Sequence, residues 1–366
     1  MIKPAAFIIS FLIIVNCIGQ PIDTSLYSIK AESSAIWNRF FTNNSAWRGA
    51  DGAASVDLGK GKVLWLFGDT FISDSAGSRR KSEIIRNSIA IQNGYDLDTA
   101  SVKYYWNSFE KKPTAFFQAK NKEWYWPGHG IMIKDRLLIF LMKEKEIKTG
   151  LGFETTGWAA VLILNPEDDP SVWKMKYIEG GDTFGTTAGS AAILKDENYI
   201  YAYGSVEPGT HEVYLLRWPI KDAYSGNLAR PQWWLNDKWR VRKKSDAAPK
   251  PLFTGATEYS VHYDSKLNKY IQVQSFGFGE AAIGLRMANK PQGPWSDSLM
   301  IYTPEYTGIR KPFMYSAKAH PELKSNGIYV TYNINSFDFE ELLDLQAIYF
   351  PKFIKIRIEK KPVSKD

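Results

Sequence analysis

The chain has 366 residues, a formal net charge of +7, 14% aromatic side chains and a single cysteine, Cys17. One cysteine excludes a disulfide framework, and scattered lysines with no recognised binding module argue against nucleic acid as a partner. Gly and Pro punctuate short apolar runs, and few apolar stripes have a helical period, so the composition points to an all-β chain long enough to bury a sizeable core.

Residues 1–19 place Lys3 before an apolar run from Ala5 to Val15, followed by Cys17, Ile18 and Gly19. This reads as a secretory signal peptide, too short for a membrane span and cleaved before Gln20. Residues 20–366 then form one exported domain, in the periplasm, outside the cell or at the outer membrane. The competing reading is lipidation of Cys17, for which Asn16 is a poor neighbour. Only in that case is a membrane a partner. The segments from Ile36 to Phe40 and from Phe339 to Leu343 read as short helices or loops.

The stretch from Trp47 to Thr70 reads as two strands around Gly59-Lys60-Gly61, where glycines supply a tight turn. Asp51 precedes the first strand and Asp69 follows the second. Antiparallel pairing therefore returns both carboxylates to one end of the hairpin, the arrangement acid–base chemistry on a neutral substrate requires. Asp-Gly and Gly-Asp are also ordinary turn chemistry, so the hairpin alone does not decide. Beyond it, Arg86 and Asn87 enter a strand, with the rim of a pocket or a plain strand end as their two readings.

The same pattern returns four times. The second copy runs from Pro127 to Leu141 and carries His129, directly after Trp124, Tyr125 and Trp126. Aromatics beside a polar pocket suit stacking on sugar rings, and at least one of the three is expected in the core. The third copy runs from Thr187 to Tyr203. It follows a glycine-rich loop that contains Ser190, lacks the Gly-Lys-Ser/Thr ending of a phosphate loop and is expected to pass near the pocket. Glu207 is a spare acid after it, and Trp233, Trp234 and Trp239 lie in a polar insertion that suits a groove wall. The fourth copy, Ala256 to Gln274, places Glu258 at the head of a strand, where a charge needs a wet channel or a partner; Arg286 on the next strand is a candidate for that pairing or for substrate. The fifth, Ser316 to Asn333, carries Lys318 and His320, with Asn333 and Asn335 near its end. The alternation from Phe353 to Ile358 predicts a final strand, whose partner is sought between Tyr27 and Phe41.

The equivalent positions are Asp51, His129, Gly189, Glu258 and Lys318, separated by 78, 60, 69 and 60 residues. Five four-strand units of this size predict a five-bladed β-propeller, with those positions around an axial pocket. The expected pocket holds Asp51, Asp69 and Glu258 as catalytic acids. Arg86, Asn87, Trp124, Trp126, His129, Ser190, Arg286, Lys318 and Asn333 are the candidate substrate contacts. No cofactor is called for, and a structural calcium ion is not readable from these residues.

The Trp-x-Gly-Ala-Asp-Gly-Ala opening at 47–53, the Leu-Trp-Leu-Phe-Gly-Asp-Thr-Phe at 64–71, Arg86-Asn87-Ser88 and Tyr349-Phe350-Pro351-Lys352-Phe353 together resemble a bacterial family of five-bladed propellers. That family was long catalogued as a domain of unknown function and is similar to a group classed as endo-D-arabinanases. More distantly it resembles the furanosidase propellers of glycoside hydrolase families 43, 62, 32 and 68. The resemblance implies an acid in blade one, a second in blade two and a glutamate general acid in blade three. Asp51 matches the first by position; the second blade carries His129, the glutamate arrives in blade four, and Asp69 is the available second carboxylate.

The expected function is a secreted glycoside hydrolase acting on a poly- or oligosaccharide. Glu258 protonates the leaving oxygen, Asp51 is base or nucleophile, and Asp69 orients water or tunes a neighbour. The alternative is a carbohydrate-binding propeller without turnover, in which an acid is turned into a structural pair. A metal-dependent hydrolase using His129 and His262 is a third reading, without the usual ligand spacing.

Overall fold

The computed structural model describes residues 21–73, 77–150 and 152–362, so the expected signal segment and Cys17 lie outside the described residues. The fold is all-β. Among the described residues the α-helices are two short ones, Ile220–Ser225 and Phe339–Asp344.

Five antiparallel sheets follow one another along the chain. The first joins Ala54–Gly59, Lys62–Phe67, Ser88–Asn93 and Ser101–Tyr105, and the second joins Glu123–Ile133, Arg136–Glu146, Phe153–Ile163 and Met175–Glu179. The third begins Ala192–Lys195, Tyr199–Ser205, Val213–Pro219 and gains a hairpin, Gln232–Leu235 with Lys238–Val241, from the insertion that carries Trp233, Trp234 and Trp239. The fourth joins Tyr259–Asp264, Lys269–Phe276, Ala282–Ala288 and Leu299–Tyr302. In the fifth, Pro312–His320, Ile328–Ser336 and Lys352–Lys360 are completed by Tyr27–Ser33, which pairs with the last strand from Tyr27 opposite Lys360 to Ser33 opposite Ile354. A small sheet of Trp47–Ala50, Thr70–Ile72 and Glu83–Ile85 flanks the first.

Each sheet has apolar side chains on both faces. In Lys62–Phe67, Leu64 and Leu66 pack with Ile139, Leu141 and Val161 of the second sheet, while Val63, Trp65 and Phe67 pack with Tyr329 and Phe353 of the fifth. Similar clusters join second to third, third to fourth and fourth to fifth sheets. A strand covered on both faces cannot alternate apolar with polar, which is why Val63-Leu64-Trp65-Leu66-Phe67 is continuous. The leading strands also pack in sequence: Ala54–Gly59 against Glu123–Ile133, that strand against Ala192–Lys195, then Tyr259–Asp264, then Pro312–His320, which touches Ala54–Gly59.

Where leading strands converge, space for side chains is short. Gly189 has φ +72, its carbonyl accepts from His129 N at 3.1 Å, and a Cβ there would lie 2.3 Å from Phe140 Cγ. This explains why the third copy places glycine where the others carry a polar group. Gly189→Ala is expected to destabilise the fold by about 2–4 kcal/mol, from backbone strain and overpacking together. Urea denaturation measures it, and a loss below about 0.5 kcal/mol would show that Phe140 yields freely.

Candidate active site

The flanking sheet and the first hairpin hold Asp51 and Asp69 together through the backbone: Asp51 N donates to Asp69 O at 2.9 Å and Gly68 N to Asp51 O at 2.8 Å. The Asp51 carboxyl accepts from the Tyr315 hydroxyl. Tyr349 also lies against it, while donating to Asp69 O at 3.1 Å. Burial above all, then the Asp69 charge, pushes Asp51 up to about 8, against the pull of both phenols. Asp51 is therefore protonated at neutral pH. Tyr315 keeps its own proton, because burial and the neighbouring Asp51 raise it well above the ordinary phenol value.

Asp69 has different partners. Arg86 Nη1 donates to Oδ2 at 3.0 Å and Trp126 Nε1 to Oδ1 at 2.9 Å. Burial raises its pKa, and Arg86 and Trp126 pull it back. Arg86 in turn lies 4.1 Å over the Trp124 ring, and Trp126 sets its edge on Phe153 with centroids 4.6 Å apart. Tyr125 is the core member of that aromatic trio, buried and stacked on Tyr177.

Glu258 reaches the same place from the fourth sheet. Its Oε1 accepts from Lys318 Nζ at 2.6 Å, and Lys318 is nearly buried, with 4% of its side chain exposed. Gly52, beside Asp51, makes room for this pair: a Cβ there would lie 2.9 Å from Glu258 Oε1. Glu258 also contributes to raising Asp51.

Two more acids extend the cluster. Glu144, fully buried, accepts from Thr155 Oγ1 at 3.0 Å, and burial, with smaller contributions from Glu207 and Asp69, raises it to about 8. Its oxygens meet no cation among the described residues. Glu207, raised by burial, pairs with His211 Nδ1 at 2.7 Å and is hydrogen-bonded by Thr257, the residue before Glu258. Asp51 is thus coupled to Asp69 and Glu258, and Glu144 to Asp69 and Glu207, while Glu207 meets Thr257, the residue before Glu258.

Sequence reasoning missed Glu144, although the signal was there. On its strand it shares the face of Leu138, Phe140 and Met142, all buried, so period two points it inward among lysines that point out. Tyr315 and Tyr349 were missed as well.

Other predicted contacts are spent elsewhere. His129 accepts from Ile193 N at 3.1 Å on Nδ1 and donates from Nε2 to Ser55 O at 3.0 Å, and burial lowers it to about 4. It is a neutral clamp between first and third sheets with no free nitrogen. Asn87 donates to Phe117 O and Tyr125 O at 2.9 and 2.8 Å and accepts from Phe117 N. Ser190 is buried against Thr187 Oγ1 at 3.0 Å. Arg286 does not meet Glu258; it donates to Gln272, Gln274 and Thr254 O between Phe253 and Phe276. Asn333 donates to Ala50 O at 2.8 Å, and its Oδ1 is buried without a partner beside the strand that delivers Asp51. No group of three or more His, Cys, Asp or Glu side chains is arranged to hold a metal ion among the described residues. Cavities of about 450 and 270 Å3, lined by Trp37, Phe40 and Tyr104 and by Lys103, Tyr105 and Asp169, contain none of the clustered acids.

Residues 35–358 match the family described as a domain of unknown function, DUF5005. The chain belongs to the DUF5005 family. The match spans all of the clustered acids. No curated protein matches the sequence. In structure, this DUF5005 chain is similar to a protein of Bacteroides ovatus ATCC 8483 provisionally described as a hydrolase, with 17% identity, 90% of each chain covered and a TM-score of 0.71. At that identity the likeness concerns the fold. Two weaker likenesses are to an α-L-arabinofuranosidase from Podospora anserina in complex with cellotriose (10% identity, 86% of this chain and 92% of that one, TM-score 0.47) and an endo-arabinase from Bacteroides thetaiotaomicron VPI-5482 (11%, 87% and 95%, TM-score 0.43).

Proposed function

We propose that this chain is an exported glycoside hydrolase, a single five-bladed β-propeller over residues 20–366 that cleaves a poly- or oligosaccharide in its axial pocket. The propeller reading is supported by five sheets in chain order whose leading strands pack one on the next and back to the first. The resemblance carried by the motifs at 47–53 and 64–71 makes furanosidic polymers of the arabinan kind the first substrates to test. Export rests on residues 1–19 as a signal segment.

The observation that carries the reading is the split between Asp51 and Asp69. Burial raises both, but Asp69 has the Arg86 charge against it where Asp51 has phenols and a neighbouring acid, and neighbouring carboxyls with different environments are how a fold provides an acid and a base at one pH. Asp51, desolvated and kept neutral, takes the role of general acid: with Tyr315 donating to one oxygen, the other presents the proton to the glycosidic oxygen. Asp69, held by Arg86 and Trp126, takes the role of base or nucleophile. Glu258 was the expected acid, but its Oε1 is taken up by Lys318 Nζ at 2.6 Å, and it acts here by helping to raise Asp51.

The test is reducing-sugar release from arabinans, fructans, xylans and host glycans by wild type, Asp51→Asn and Asp69→Asn. Both variants are expected to stay folded and to lose activity by about 10²–10⁴-fold. One observation favours a second reading. The Glu258–Lys318 pair is the structural use of an acid expected of a carbohydrate-binding propeller without turnover. Glycan binding retained in both variants, with no release from any polymer, would establish that reading instead.

A further inference from the structure

We propose that a column of aromatic rings leading outward from Asp51 is a docking track for the part of a neutral polysaccharide that lies beyond the cleaved bond. The inference rests on the hydrolase reading for its polarity, but not for the binding itself. Tyr315, whose hydroxyl donates to Asp51, stacks on Phe313 with centroids 5.2 Å apart, and Phe313 stacks on Phe337 at 4.3 Å. Phe337 leans on Phe278 at 5.2 Å and 43°. Exposure grows along the column: Tyr315 and Phe313 are half-buried, Phe337 is 44% exposed and Phe278 82%.

The column is built from two sheets. Phe278 projects from the turn between Lys269–Phe276 and Ala282–Ala288 of the fourth sheet. That turn is tied to the strand bearing Phe313 and Tyr315, because Met314 N donates to Gly279 O at 3.0 Å. Phe337 follows the second strand of the fifth sheet and is pinned by its N–H to Lys311 O at 2.9 Å.

A lone exposed phenylalanine needs no explanation, but a continuous apolar column that is most exposed at its far end does. Its inner end is the residue that holds the Asp51 carboxyl, so the molecule that covers it also reaches Asp51. Sugar rings offer C–H faces to aromatic rings while their hydroxyls stay in water. Phe278, Phe337 and Phe313 bring no donor or charge to such a contact, so they select shape and favour an uncharged chain. A track this far from Asp51 serves a substrate several sugars long, not a disaccharide.

Affinity electrophoresis through gels holding soluble arabinan, xylan or fructan tests this on wild type, Phe278→Ala, Phe337→Ala and Asp51→Asn, with reducing-sugar assays in parallel. Phe278 lies in an exposed turn, and thermal melts confirm that its variant is folded. Wild type and Asp51→Asn are expected to be retarded alike by at least one polymer, and Phe278→Ala about fivefold less, with Phe337→Ala in the same direction. Where that polymer is hydrolysed, KM rises by a similar factor at constant kcat, and turnover of an aryl glycoside is unchanged. Equal retardation of wild type and Phe278→Ala overturns the track, as does a wild type that no polymer retards. Phosphatidylcholine vesicles that bind wild type but not Phe278→Ala, without any polymer effect, overturn it in favour of a lipid contact. Retardation lost in Phe278→Ala while no polymer is hydrolysed upholds the track and overturns the hydrolase reading.

Discussion

Asp51→Asn should melt at a higher temperature than wild type at pH 7–8, lose its activity, and lose its thermal advantage as the pH falls toward 4. The folded chain holds the Asp51 proton up to about pH 8, whereas the usual value of an aspartate is 3.8. Between those two values folding must take up a proton that the unfolded chain has released. The contribution of Asp51 to stability is therefore complete below pH 3.8 and lost as the pH rises through about 8. Each pH unit in that window is worth about 1.4 kcal/mol, so at pH 7 the penalty approaches roughly 4 kcal/mol, less whatever water reaching this half-buried carboxyl relieves. Asparagine carries no such penalty and keeps an oxygen for Tyr315. Melts at pH 4, 6 and 8 measure the gap, and a variant less stable than wild type at every pH would contradict a protonated Asp51.

Activity should follow the same proton. In the proposed roles turnover needs Asp51 protonated and Asp69 ionised, so the rate should rise with pH as Asp69 ionises and fall again near pH 8. Arg86→Met removes the charge that opposes the raising of Asp69, and the acid limb should move to higher pH. An alkaline limb that stays near 8 in the same variant separates the two groups.

The first hairpin was legible because its chemistry is local. Alternation and the Gly59-Lys60-Gly61 turn set the register, and the register alone returns Asp51 to Asp69. The closing of the fifth sheet was legible for the same reason, since the period-two run at 353–358 needs an edge partner and Tyr27–Ser33 supplies it. What sequence does not show is which sheet a side chain meets. Glu258 was offered Arg286 on its own sheet and takes Lys318 from the next one. His129, Asn87 and Ser190 are polar residues at converging strands, read as pocket contacts. Leading strands that pack this closely bury backbone groups no ladder satisfies, and His129 and Asn87 are consumed by them. Tyr315 and Tyr349 reach Asp51 across 264 and more residues, so no local pattern announces them.

Arg79→Met is expected to have the largest effect on stability, about 3–5 kcal/mol. Arg79 is almost wholly buried and has no carboxylate partner among the described residues. Its guanidinium instead gathers backbone carbonyls: Nε donates to Arg48 O at 2.9 Å, Nη1 to Leu342 O and Leu345 O at 2.9 and 3.0 Å, and Nη2 to Gln346 O and Ile348 O. Phe71, Tyr349 and Phe350 surround it, and burial lowers it only to about 10, so it stays charged at neutral pH. All but the Arg48 carbonyl belong to the segment that ends in Tyr349, whose own carbonyl accepts from Ala50 N at 2.9 Å, the residue before Asp51. Methionine would leave the carbonyls buried and unpaired. Lysine should not rescue the fold, because one ammonium cannot reach acceptors spread around a planar fork. Urea denaturation of Arg79→Met and Arg79→Lys reads the loss. The pH profile of whatever folded protein remains reads its consequence: Tyr349 pulls Asp51 down, so a loosened Tyr349 should carry the alkaline limb to higher pH. A limb that stays in place despite the lost stability would mean that Arg79 supports the fold without setting the site.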